Sequence, residues 1–207
     1  MNDFQITHHY SWIMNTHSDS GLDPHGIEIY LKPEVISMLF LGFSAGLPFP
    51  LVFATLTAWL ASVEIGIAEI SMFAWVGIVY AIKFVWAPIV DNLSLPLLSS
   101  SLGKRRAWML STQFAVLLGL LIISSINPVE NLSLFSVLLV LIAFASATQD
   151  IAIDAYRIEI INNRFQGAMA AAYQLGYRLA VLIAGGGTLY IAAFNTWNFA
   201  YKVMAFF

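Results

Sequence analysis

The sequence predicts an all-α integral membrane protein, and three observations carry that prediction. Of 207 residues, 59% are hydrophobic and only 10% charged, where a soluble domain carries about a quarter charged residues. The mean hydropathy is +0.79. Apolar runs recur at near-regular intervals, each close to or above the roughly 20 residues a helix needs to cross hydrocarbon.

The spans are expected at 35–61, 70–90, 107–126, 133–157 and 167–194, with a partial span at 197–207. The longer runs leave room for tilt or for helix continuing past the bilayer. The last run is about half a span. Its final carbonyls would end in hydrocarbon without partners. The expectation is therefore five helices and the start of a truncated sixth.

Basic residues set the orientation. Lys32 precedes the first span, Lys104, Arg105 and Arg106 separate the second and third, and Arg157 and Arg164 flank the next turn on that side. The opposite connections hold Glu64, Glu69 and Glu130 and no Lys or Arg, with Lys202 alone against the trend. The positive-inside rule then puts the N-terminus in the cytoplasm. Residues 1–33 are polar, hold all four histidines (His8, His9, His17, His25), and contain no apolar segment leading to a signal-peptide cleavage site. Their histidine spacing fits no closed tetrahedral metal site, so a disordered cytoplasmic tail is expected and no metal. The chain has no cysteine and hence no thiolate chemistry.

In the first span, Gly42 and Gly46 form a small-xxx-small pair that permits close helix contact. Pro48 and Pro50 follow near mid-depth and remove backbone hydrogen bonds. Two readings stand: a packing kink, or a broken helix beside a transport pathway, where irregular backbone lines a cavity.

Lys83 lies about seven residues, or roughly 10 Å, inside the basic end of the second span. A lysine there can snorkel. Asp150 on the fourth span lies at matching depth, and pairing the two would relieve the cost of both, so pairing is preferred.

The fourth span carries the densest polar cluster, Gln149, Asp150, Asp154 and Arg157 within ATQDIAIDAYR. Spacings of three and four put both carboxylates and the guanidinium on one helical stripe. Each intramembrane charge costs about 2.5–3.5 kcal/mol at a helix centre on insertion scales. Burial and mutual repulsion both raise a carboxylate's proton affinity, so the deeper Asp150 is assigned proton exchange. Asp154, near the surface, is assigned a structural pairing with Arg157.

In the fifth span, Tyr173/Tyr177 and Gln174/Arg178 are each four apart and form adjoining polar patches. Arg178 is about eleven residues, or roughly 16 Å, from the nearer end and needs an anionic partner. Either Asp150 supplies it, or an anionic substrate group does, met by the planar guanidinium fork. The tyrosines are packing aromatics or platforms for sugar faces. Gly185-Gly186-Gly187 softens this helix near its far end.

Asp91 closing the second span, then a turn into Gly103-Lys104-Arg105-Arg106 before the third, resembles the loop motif of the major facilitator superfamily. That resemblance implies a cytoplasmic gate latch of Asp91, Gly103, Arg105 and Arg106, with Arg157 as a partner for Asp91. Ala87 and Asn92 depart from the family's usual Gly and basic residue, and the loop carries a Leu/Ser-rich insert.

The insert narrows the match. Lys83-Phe84-x-Trp86-x-Pro88-x-x-Asp91, the long loop, then Gly103 to Arg106, Trp108 and Gln113 are similar to the AmpG muropeptide permeases. So are Gln149-Asp150-x-x-x-Asp154-Ala155-Tyr156-Arg157, Leu175-Gly176-Tyr177-Arg178-Leu179 with Gly185-Gly186, and Gly42 to Pro48. The resemblance covers nearly all of 35–205. It implies the N-terminal six-helix half of a twelve-helix or larger carrier, importing anhydromuropeptides with protons for peptidoglycan recycling at the bacterial inner membrane. Lys83, Gln149, Asp150, Tyr173, Gln174, Tyr177 and Arg178 would contact substrate or couple protons. The implied partners are a muropeptide, protons, membrane lipid and a missing C-terminal half. Acetyl-CoA is the cargo of a eukaryotic relative and the alternative substrate.

No Walker loop, nucleophile elbow or metal-ligand set is present, which speaks against ATP hydrolysis and hydrolytic catalysis. Neither an enzyme, a cofactor nor a nucleic-acid partner is expected. A non-transporting membrane scaffold and an inactive truncated fragment are the competing classes.

Overall fold

A computed structural model describes residues 26–160 and 165–207. The tail expected over 1–33 lies outside the described residues up to position 25, as do the four histidines and Arg164. Gly26–Leu31 forms a short 3-10 helix before the first span.

Five helical stretches are long and apolar enough to cross a membrane: α1 (Pro33–Ser62), α2 (Ile67–Val85), α3 (Lys104–Ile123), α4 (Leu132–Ile160) and α5 (Gln166–Phe194). A shorter α6 follows at Trp197–Ala205. The chain is an integral membrane protein. Large apolar side chains such as Phe40, Trp75, Phe84, Leu182 and Tyr190 are exposed on its outer surface, an arrangement suited to lipid rather than water.

Helices α1 and α4 are the most buried, with α2 and α5 the most exposed. α1 lies along α5, α3 along α4, α2 against α4, and α6 against α3 and the end of α5. The α1–α5 contact is backbone to backbone. A Cβ on Gly42 would collide with the Tyr173 carbonyl, and one on Gly176 with the Leu39 carbonyl. This is the close approach that the Gly42/Gly46 spacing predicts.

The core has two parts. Trp59, Phe135, Tyr201, Leu51, Leu56 and Ile142 fill the end away from the basic loops. Val35, Met38, Met109, Ile153 and Met169 fill the basic end.

α1 is three pieces, Pro33–Gly46, Pro48–Val52 and Ala54–Ser62. Its break is packed: Pro48, Pro50, Leu51 and Val52 are all buried. Two carbonyls there find side-chain donors. Thr55 Oγ1 donates to Pro50 O at 2.8 Å and Tyr201 Oη to Leu51 O at 2.7 Å. α5 is interrupted at a similar place in the bundle by a π-helical turn, Ile183–Gly187, which contacts the Pro48–Val52 piece. That turn covers the glycine triplet.

α2 is also irregular, tightening to 3-10 at Phe73–Trp75 and Lys83–Val85 before a short helix at Ala87–Asn92. Pro88 has no N–H to give Phe84 O, so the α-helical ladder fails just where Lys83 projects.

Candidate functional site

Lys83 and Asp150 meet. Lys83 Nζ is 3.2 Å from Asp150 Oδ2, with side-chain exposures of 34% and 16%. The other carboxylate oxygen, Asp150 Oδ1, is buried without a hydrogen-bond partner. One turn away, Trp86 Nε1 donates to Thr148 Oγ1 at 3.0 Å and its ring packs 4.7 Å from Phe144. These contacts staple the irregular end of α2 to α4.

From Lys83 a cleft of about 340 Å³ runs along α2 and α4 to Asp91 and Asp154, walled by Phe84, Ala87, Ile151 and Ile158. Asp154 is 52% exposed and 3.5 Å from Arg157 on its own helix.

At the basic end, Gly103 has φ +81°, a left-handed turn suited to glycine. It opens α3 so that Arg105 reaches two carboxylates. Arg105 Nη1 donates to Asp91 Oδ1 at 2.7 Å, while Nε and Nη2 both donate to Glu159 Oε1 at 2.9 and 2.7 Å. The expected Arg157 partner for Asp91 is therefore replaced: Arg105 takes Asp91, and Arg157 stays with Asp154. Lys104 Nζ donates to the Asp91 carbonyl. Arg106 is exposed and its guanidinium sits 5.9 Å over the Tyr156 ring.

Gln149 does not share the Asp150 face. It is 1% exposed and its Nε2 donates to Ser44 Oγ and to Gln113 Oε1, both at 2.7 Å. Ser44 Oγ donates to the same Gln113 oxygen at 2.6 Å. Consecutive residues on a helix point about 100° apart, which splits the polar cluster into an α2-facing pair and an α1/α3-facing knot.

On α5, Gln174 and Arg178 are exposed. Among the described residues Arg178 has no ion pair, so the Asp150 pairing is not formed; Lys83 already holds that carboxylate. Tyr173 and Tyr177 are half-buried with ring centroids 6.2 Å apart. Tyr177 continues to Phe49 at 6.5 Å, and Phe49 to Tyr80 at 6.1 Å. This row joins α5, the α1 break and α2. Pro48 and Pro50 themselves face the core, and Phe49 between them supplies the aromatic.

Tyr80 and Glu159 escaped the sequence reading, and Ser44 and Thr148 entered it only as members of quoted segments with no role assigned. Glu159 had a usable signal: it lies at the same end as Arg105, and matching depth across helices is the logic that pairs Lys83 with Asp150.

The family model described as "Acetyl-coenzyme A transporter 1" matches residues 35–130. The chain is 37% identical over 180 residues to the anhydromuropeptide permease of Escherichia coli (strain K12), covering 86% of this chain and 36% of that protein. A Rickettsia conorii transporter carrying the AmpG name is 36% identical over 180 residues, covering 86% of this chain and 43% of the relative. Over about 180 residues the chain is thus similar to transporters named AmpG or anhydromuropeptide permease. It spans 36–43% of the length of these curated relatives.

The AmpG-like motifs prove to be contact partners. Lys83 and Trp86 of one meet Asp150 and Thr148 on α4. Gln113 meets Gln149, Arg105 meets Asp91, and Gly42 and Gly176 set the α1–α5 approach. Residues distant in the chain thus meet at the α1–α5, α2–α4 and α3–α4 junctions.

Proposed function

We propose that this chain supplies the N-terminal six-helix half of a major facilitator carrier that imports anhydromuropeptides from periplasm to cytoplasm, coupled to protons, for peptidoglycan recycling. The observation that carries the reading is the 37% identity, over 86% of the chain, to a protein named anhydromuropeptide permease. In this reading the basic end faces the cytoplasm of a bacterial inner membrane, as the Lys/Arg distribution favours.

Asp150 is the proton-exchanging group. A proton arriving at its unpartnered Oδ1 neutralises the carboxylate and releases Lys83, converting proton binding into a change at the α2–α4 contact. Arg178 and Gln174 offer an anion fork and an amide on an exposed face. Tyr173, Tyr177 and Phe49 offer ring faces for sugar stacking. Asp91, Gly103, Arg105 and Arg106 form the gate at the basic end, to which Asp154 and Arg157 contribute a neighbouring pair. Because its relatives are more than twice as long, a second helical half completes the cavity.

The test is uptake of labelled anhydromuropeptide by a permease-deficient strain expressing this chain together with the C-terminal half of an AmpG relative. Uptake above the vector control supports the reading. Membrane-inserted protein without uptake overturns it. The match to the acetyl-coenzyme A transporter model over 35–130 favours a second reading, a carrier for another bulky anion, which labelled acetyl-CoA in the same strain's membrane vesicles would reveal.

A further inference from the structure

Two clefts at the basic end share a wall. One, of about 230 Å³, is lined by Leu102, Lys104, Arg105, Arg106, Tyr156 and Glu159. The other, of about 330 Å³, is lined by Leu41, Met109 and Leu110 above a floor of Ser44, Gln113 and Gln149. Arg106 and Leu102 line both. The first is cationic and at the surface. The second is mostly apolar and descends between α1, α3 and α4.

Both compartments have chemistry to spare. Arg105 is engaged by Asp91 and Glu159, but Arg106 has no ion pair among the described residues, and Lys104 bonds only a carbonyl. On the floor, Gln113 spends its carbonyl oxygen on Ser44 and Gln149, and among the described residues its Nε2 has no partner. Gln149, 1% exposed and lining the cleft, keeps Oε1 buried and unpartnered.

We propose that the joined clefts form a binding site for an anionic phospholipid. Its phosphate sits between Arg106 and Lys104, where a planar guanidinium makes charge-assisted hydrogen bonds. Its glycerol region takes the Gln113 amide donor at an ester carbonyl. An acyl chain follows Leu41, Met109 and the exposed Leu110 out to the bilayer. Charge complementarity selects an anionic head over a zwitterionic one, and the apolar second compartment distinguishes a lipid from free phosphate. The site lies on the α1–α3–α4 side, apart from the α2–α4 cleft of Lys83 and Asp150. It shares Arg106 with the proposed gate, and lipid retention is read without transport, so failure of either reading leaves the other distinguishable.

Native mass spectrometry of the full chain in detergent reads lipid retention directly, comparing phosphatidylglycerol with phosphatidylcholine. The wild type is expected to prefer phosphatidylglycerol. Arg106→Ala should reduce that preference about fivefold, the effect of one basic residue at an anionic surface. Gln113→Leu should weaken retention of both lipids, and Lys202→Ala should change neither. Circular dichroism of each variant controls for folding. Added inorganic phosphate should not displace the lipid. Equal lipid preference in Arg106→Ala and wild type overturns the proposal, as does unchanged retention in Gln113→Leu. Displacement by inorganic phosphate alone would show an anion site and overturn it too.

Discussion

Two charge clusters join α2 to α4, and they differ in depth. At the basic end, Arg105, itself 13% exposed, bridges Asp91 and Glu159, whose side chains are 47% and 54% exposed. Inside the spans, Lys83 meets Asp150 at 34% and 16% exposure. The chemistry is alike; the surroundings are not. Half-exposed carboxylates exchange a salt bridge for water at little net cost, with a median worth of about 0–1 kcal/mol. A buried carboxylate has no such substitute, and removing its partner strands a charge. The outer cluster is therefore a clip from which one carboxylate leaves cheaply, because Arg105 keeps the other. The inner one holds a charge whose release requires a proton or a replacement cation.

The comparison breaks most visibly at Lys83. Lys83→Met should destabilise the chain by about 3 kcal/mol, the low end for a broken buried pair because Lys83 keeps a third of its side chain exposed. Thermal unfolding in detergent measures it. The double variant Lys83→Met/Asp150→Leu should recover most of that loss, since an apolar pair removes the stranded charge. If the double variant is no better than the single one, the pair is not what the substitution breaks.

Gln149→Leu, one residue from Asp150, separates depth from charge. It removes two buried hydrogen bonds and leaves Gln113 Oε1 and Ser44 to each other. A loss of about 1–3 kcal/mol is expected in the same assay. Asp91→Asn should be the mildest change, below about 1 kcal/mol, and its effect should shrink further in high salt. A loss from Asp91→Asn as large as that from Lys83→Met would erase the distinction between clip and pair.

Much of this was legible because membrane depth acts as a coordinate. The runs at 107–126, 133–157 and 167–194 predict α3, α4 and α5, since few other solutions satisfy backbone groups in hydrocarbon. Equal depth made Lys83–Asp150 the preferred pairing over snorkelling, and the structure supplies the facing of the two helices. What depth cannot give is azimuth. Arg178 and Asp150 are both deep, yet Arg178 lies on the exposed face of α5 while Asp150 faces α2. Gln149 joined the carboxylates in the sequence reading because it sits beside them in the chain. In three dimensions it turns toward Ser44 and Gln113. Local irregularity was half visible. Pro48 and Pro50 announced the α1 break, but Tyr201, whose hydroxyl meets the Leu51 carbonyl, carries no marker in its own segment.

In the proposed transport cycle the deep pair, and not the surface clip, couples the proton to the cargo. Labelled anhydromuropeptide uptake decides it, measured in the permease-deficient strain with matched membrane levels of Asp150→Asn and Asp91→Asn, each beside a complementing C-terminal half. Asp150→Asn is expected to abolish proton-driven uptake while Asp91→Asn retains most of it. Full uptake by Asp150→Asn would contradict a proton-coupling role for the deep pair.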